Sequence, residues 1–212
     1  MKNLYRLTLL ALCLLLAGCS QSLERSIRTT TLVQDNITAI TNHLAEIQLL
    51  EESVQTDFES TLKAGEDDLS LFKSSDSAIQ ENVAKRRKLI QELQDNSDKL
   101  QELNDEMVSQ LKRSEVPKNQ INEIIDLVSN LQKDLEVYSS DYLQNLDLES
   151  QTYQSIANPD TNFENFFKIF DTIEILMTNN EMNLEKVLTY FESINAHLID
   201  FKVYLTNLQE SH

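Results

Sequence analysis

The chain has 212 residues but only two glycines and two prolines: Gly18, Gly65, Pro117 and Pro159. These are the residues that end helices and shape turns, so a chain this poor in them has few places to reverse direction. With Leu, Gln, Asn, Glu and Ser abundant, long helices joined by few connections are expected. Gly65 and the two prolines mark those connections and leave stretches of similar length, 20–64, 66–113, 118–157 and 161–209. The 41% hydrophobic content is too high for a typical disordered chain.

Hydrophobic spacing agrees. Val33, Ile37, Ile40, Leu44, Ile47, Val54 and Phe58 recur at alternating steps of three and four, with Glu51 filling one seam position and Leu62 extending the face. The second stretch carries Val83, Ile90, Leu93, Leu100, Met107 and Leu111, with Ser97 and Asn104 at intervening positions. The third runs from Ile121 through Ile124, Val128, Leu131, Leu135 and Tyr138 to Tyr142, then fades through Leu146, Tyr153 and Ile156. The fourth has the longest seam, Phe163, Phe166, Phe170, Ile173, Met177, Asn180, Leu184, Val187, Phe191, Ile194, Leu198, Phe201, Leu205 and Leu208. Asn180 is its one polar member, a residue type that fixes register at some cost in stability. Its neighbour Asn179 allows a turn there, but the unbroken phase predicts one continuous helix.

Gly65 suits a helix C-terminal cap. The next helix begins either at the acids that follow, Glu66, Asp67 and Asp68, or at Ser77, which with Gln80 has capping-box spacing. The predicted fold is all-α, an elongated antiparallel four-helix bundle, with a looser coiled coil of long helices as the alternative. Its helices are expected at about 32–64, 67–113, 117–157 and 161–209.

The first eighteen residues read differently. Lys2 and Arg6 precede an apolar run from Leu7 to Leu16, broken only by Thr8, and the small residues Ala17 and Gly18 precede Cys19. This is the three-part pattern of a secretory signal peptide, too short to cross a bilayer. Leu16-Ala17-Gly18-Cys19 matches the lipobox of bacterial lipoproteins. That resemblance implies diacylglyceryl transfer to the Cys19 sulfur and cleavage between Gly18 and Cys19. Two acyl chains hold a protein on a membrane where one does not. The expected organisation is signal peptide 1–18, lipidated cysteine and tether 19–31, the polar stretch from Ser20 to Thr31 being either a short tether or a frayed helix start, and helical bundle 32–212.

Removing 18 of 212 residues leaves 194, with 16 Lys+Arg against 35 Asp+Glu, a net charge of −19. So acidic a surface argues against nucleic acid and against nonspecific adhesion to anionic wall polymers. Cys13 leaves with the leader and Cys19 takes the lipid, so no disulfide is expected.

Chemistry-bearing motifs are missing. His43, His197 and His212 occur in no Glu-x-x-His or His-Glu-x-x-His pattern. One glycine in the mature chain cannot build a phosphate-cradling loop, and no Gly-x-Ser-x-Gly occurs. No catalytic, cofactor or metal residues are expected. The basic run Lys85-Arg86-Arg87-Lys88 is expected to spread around its helix as a solvated collar. In an up-down bundle tethered at Cys19, Arg25, Arg28, Lys112, Arg113 and Lys118 would gather beside the bilayer. There, near anionic lipid, each contributes about 1 kcal/mol. Glu59, Glu66, Asp67, Asp68, Asp147, Glu149, Asp160 and Glu164 would gather at the opposite tip.

Several weak motifs, in order, carry a resemblance across most of the mature chain. They are Gln48-Leu49-Leu50-Glu51-Glu52, the lone Gly65, the Arg86-Arg87 pair, the segment from Tyr153 to Asp160, and Ile194-Asn195. On these the chain resembles the YkyA-like cell-wall-binding lipoproteins of Gram-positive bacteria. The resemblance implies a lipid-anchored envelope protein and transfers no enzyme activity. The expected function is a non-enzymatic helical spacer or interaction module on the extracytoplasmic face of the cell membrane, with the cell wall or an envelope protein as partner. The alternatives are an accessory or regulatory subunit of an envelope enzyme or transporter, and, ranked behind it, an enzyme of wall metabolism.

Overall fold

A computed structural model describes residues 2–66, 68–111, 118–158 and 163–211, with side chains from residue 22 onward apart from 111, 163–166 and 211. The side chain of Cys19, the residues Asp67, Lys112, Arg113 and Asp160, both prolines, and the side chains of Phe163, Glu164 and Phe166 lie outside the described residues. All regular structure among the described residues is helical. Helix α1 spans Lys2–Gly65, α2 Ala78–Leu111, α3 Lys118–Ser155, α4 Phe163–Leu188 and α5 Phe191–Ser211, with a 3-10 turn at Leu69–Lys73 between α1 and α2.

The chain divides into two compact units. The first comprises Met1–Ile37, Lys99–Leu131 and Tyr190–His212, and the second Thr38–Asp98 and Gln132–Thr189. Each is a helical bundle with its own buried seam. In the second unit, contacts between α1 and α2 run Thr61 to Ile79, Ser53 to Asn82 and His43 to Glu92. Numbers rise on one helix as they fall on the other, so the pair is antiparallel. The same holds for α2 with α3, through Gln80 to Ser150 and Gln132 to Ser97, and for α3 with α4, through Asp141 to Asn183 and Asn145 to Asn180.

The seams of α1, α2 and α3 are buried as their spacing predicts, from Val33 to Phe58, Val83 to Met107 and Ile121 to Ile156. Five differences from expectation have physical causes. The polar stretch open to being a tether or a helix start belongs to α1. Ser26, Thr29, Thr30 and Thr31 donate their hydroxyls to carbonyls four residues back, at 2.8–3.1 Å. With that demand met internally, Ser26, Thr29 and Thr30 are buried without an outside donor or acceptor being required. Towards the other end of α1 the inner face passes to Thr61, and Leu62 is partly exposed.

At the α1–α2 connection, Gly65 keeps a negative φ and the left-handed residue is Glu66, at φ 47°. Asp68 caps the 3-10 turn by accepting from the Ser70 amide at 2.9 Å. That turn buries Phe72, whose ring lies 5.1 Å from Phe58. Helix α2 then starts at Ala78, where Ser77 Oγ accepts from the Gln80 amide at 3.4 Å and Thr61 Oγ1 from the Ile79 amide at 3.1 Å. The serine half of the capping box therefore forms. Gln80 turns its amide instead to the Phe72 carbonyl.

The fourth predicted helix is two helices, α4 and α5, parted by a turn at Thr189 and Tyr190. No glycine or proline is involved. Thr189 Oγ1 donates to the Lys186 carbonyl at 2.6 Å, a bond that competes with the ladder and bends helices. Val187 before the turn and Phe191 and Ile194 after it are all buried, each in its own unit. Finally, two inner positions of α4 shift by one residue, to Ile169 and Leu176 from Phe170 and Met177, while Ile173, Asn180, Leu184 and Val187 are buried as their spacing predicts. Ile169 and Leu176 are buried, and Phe170 is 41% exposed with its ring edge-on to Phe58 at 5.1 Å.

Candidate functional site

Three seam positions that hydrophobic residues skip meet in one layer of the second unit. Glu51 stands between Ile47 and Val54 on α1, Arg86 between Val83 and Ile90 on α2, and Glu149 between Leu146 and Tyr153 on α3. Each sits at heptad spacing from its neighbours, so each is turned inward by the same geometry that buries them. Arg86 is 0% and Glu149 1% exposed, and Glu51 is half-buried.

The layer is nearly saturated with hydrogen bonds. Arg86 grips Glu149 in a two-pronged pair, Nη1 to Oε2 at 3.0 Å and Nη2 to Oε1 at 2.5 Å. Its Nε donates to Asn82 Oδ1 at 2.7 Å and its Nη1 also to the Tyr142 hydroxyl at 3.3 Å. Tyr142 donates to Glu51 Oε1 at 2.8 Å, and Tyr153 to Glu149 Oε1 at 3.0 Å. Asn180, the polar seam residue of α4, hydrogen-bonds Glu51 and accepts from Asn145 at 2.7 Å. Asn82 extends the network to the Leu50 carbonyl, Ser53 and Asp57 at 2.8–2.9 Å.

Burial by itself lowers the pKa of Arg86. The Glu149 carboxylate and Tyr142 outweigh it and hold the guanidinium above the ordinary arginine value. Burial raises Glu51 above the ordinary carboxylate value, against the Tyr142 hydrogen bond and Arg86, which pull it down, and with Glu149, which adds repulsion. Tyr138, Tyr142 and Tyr153 are all raised, first by burial, with neighbouring carboxylates adding to it, and stay protonated.

This layer corrects two sequence expectations. Arg86 is not part of a solvated collar, although Lys85 and Lys88 are, paired i,i+4 with Glu81 and Glu92. Glu149 does not belong to an exposed acidic tip. Its neighbour Asp147 is exposed and pairs with Arg87. The missed signal was the seven-residue gap in each seam, because a skipped position inside an otherwise regular stripe still faces the core.

Of the predicted basic contacts, Arg25, Arg28 and Lys118 are exposed and lie in the first unit. In that unit the Gln110 amide donates to Thr29 Oγ1 at 2.9 Å, which sets the last turn of α2 against the stretch of α1 that carries Arg25 and Arg28. His43 faces Glu92 at 3.9 Å in the second unit, and His197 faces Glu123 at 3.5 Å in the first. Among the described residues no group of three His, Cys, Asp or Glu is placed to hold a metal ion. No described helix is long and apolar enough to cross a membrane.

A protein-family model, YkyA, described as "Putative cell-wall binding lipoprotein", matches residues 26–203. No curated protein and no solved structure matches the chain.

Proposed function

Since the chain belongs to this YkyA family of lipoproteins, we propose that it is a non-catalytic helical module of the cell envelope, held by lipid on Cys19 at the outer face of the membrane, whose partner is the cell wall. The lipobox Leu16-Ala17-Gly18-Cys19 supports the anchor. One observation carries the non-catalytic part. The groups best suited to acid–base work are engaged inside the second unit, Arg86 and Glu149 with each other and Glu51 with Tyr142 and Asn180. A catalyst needs such groups aimed at a space a substrate can enter. Here they act as internal fasteners, and the work falls to surfaces.

The basic residues Arg25, Arg28 and Lys118, with Lys112 and Arg113 beside them in sequence, suit the membrane-facing end of such a module. The test is retention of the full chain on purified wall sacculi, with and without divalent cations. Recovery well above that in a sacculus-free control is expected. Equal recovery would refute the wall reading. Separately, a Cys19→Ser chain is expected to bind anionic vesicles. Exchange of Arg25, Arg28 and Lys118 for Gln should weaken that binding several-fold at low salt, and unchanged binding would remove the basic residues from the account.

A further inference from the structure

We propose that the outward face of α4 is a docking surface for a basic amphipathic helix of another envelope protein. The inference goes beyond the wall-binding reading and does not depend on it. Helix α4 is apolar on both sides. Its inner face buries Ile173, Leu176 and Leu184, and its outer side still exposes Phe167, Phe170, Ile175, Met182 and Leu188. That is five large exposed hydrophobes in 26 residues, against one, Val108, in the 34 of α2. A helix that is apolar all round belongs where both faces are covered. Ile175 and Met182, 62% and 57% exposed, stand one heptad apart, on one stripe about 10 Å long. That is a spacing at which a partner helix sets its anchors.

Charge selects the occupant. Helix α1 runs beside α4 in the second unit, where Asn180 hydrogen-bonds Glu51 and the Phe170 ring meets Phe58. Across 38–62 of α1 and 169–185 of α4 there are nine Asp+Glu and no Lys or Arg. Four of these acids are exposed and stand along the α1 flank of the stripe in heptad pairs, Glu174 and Glu181 on α4 and Glu52 and Glu59 on α1. Helical spacing puts the second pair on the flank of α1 opposite Asp57, which turns to α2. Glu59 takes a hydrogen bond from Gln55, and none of the four is in an ion pair among the described residues.

A second copy of this chain would set carboxylates against carboxylates, and an anionic wall polymer would bring like charge as well. A helix with hydrophobes one heptad apart and Lys or Arg beside them meets both features. The α2 side of the same unit offers neither. Among the described residues its stretch 78–98 exposes no large hydrophobe, and it carries Lys85, Arg87 and Lys88.

The test places photo-crosslinking benzoylphenylalanine in place of Met182 in the full chain, in the cells that make it, and sequences the adducts by mass spectrometry. An adduct to a different protein is expected, through a segment with hydrophobes at heptad spacing and a net positive charge. The same crosslinker in place of Lys85 should not give it. Exchange of Glu52, Glu59, Glu174 and Glu181 for Gln should cut its yield about five-fold or more, while circular dichroism of the purified variant stays unchanged. Ile175→Glu, a single exposed exchange, should do the same. No protein adduct would overturn the proposal, as would an adduct to a second copy, to lipid, to wall glycan or to an acidic segment. So would the same adduct from position 85, or a yield that neither variant moves.

Discussion

The two units bury different kinds of polar group. In the first, the interior holds neutral side chains: Ser26, Thr29 and Thr30 bonded back to their own helix, Gln110 on Thr29, and Asn104 on Ser129 at 2.9 Å. In the second, it holds a guanidinium and a carboxylate with a further carboxylate beside them. The surfaces differ likewise. From Cys19 onward the first unit has 7 Lys+Arg against 11 Asp+Glu, a net −4, and the second a net −15. The half with the lipobox cysteine is thus nearly balanced, and the half with the buried charged layer is strongly acidic.

The comparison separates two uses of a seam position. A neutral polar residue there costs little and specifies a partner. A charge there costs several kcal/mol of desolvation and is tolerated only when its hydrogen bonds are met in full.

The largest expected effect is therefore in the second unit. Arg86→Met leaves Glu149 buried without its partner and should cost about 3–5 kcal/mol. Hydrogen exchange should show lost protection across 78–98 and 132–158. Adding Glu149→Met should recover most of it. A loss under about 1 kcal/mol for the single exchange would mean the pair is not closed to water.

The first unit should respond with the opposite sign. Asn104 has a buried Oδ1 without a hydrogen-bond partner. Asn104→Leu should be neutral or stabilising by about 1 kcal/mol, since the buried acceptor disappears and the seam gains a hydrophobe. A clear destabilisation in urea would erase the contrast between the units.

The smallest effect concerns pH. Glu51 has its folded pKa raised above the ordinary value of 4.5, so the folded state holds its proton more tightly than the unfolded chain. Stability then falls as pH rises from 4.5 through the folded pKa. Glu51→Gln keeps an acceptor for Tyr142 and removes the titration. Its urea midpoint should exceed that of the native chain at pH 7 and converge with it near pH 4.5. A constant difference across that range would show that Glu51 is solvated.

Most of the fold was legible because the relevant signals are local. Scarce breakers mark three of the connections, and the steps of three and four mark most of the residues that face inward. The turn at Thr189 and Tyr190 was not legible, because a threonine bonding its own backbone leaves the hydrophobic phase intact. The shift to Ile169 and Leu176 in α4 was hidden by neighbouring apolar residues, since Ile169 and Phe170 can each fill an inner position. The charged layer was half legible. Glu51 stood out in a seam, but Arg86 lay within Lys85-Arg86-Arg87-Lys88, where composition points to the surface. Only alignment of three gaps on three helices singles it out, and that requires knowing which helices face each other.

The whole account depends on residue 19 being the start of a lipid-held chain. Intact-mass spectrometry of the protein extracted from its cells' membranes measures this directly. The account predicts a chain beginning at Cys19 with the added mass of a diacylglyceryl group. A chain still carrying residues 1–18, or one with a free thiol at Cys19, would contradict it.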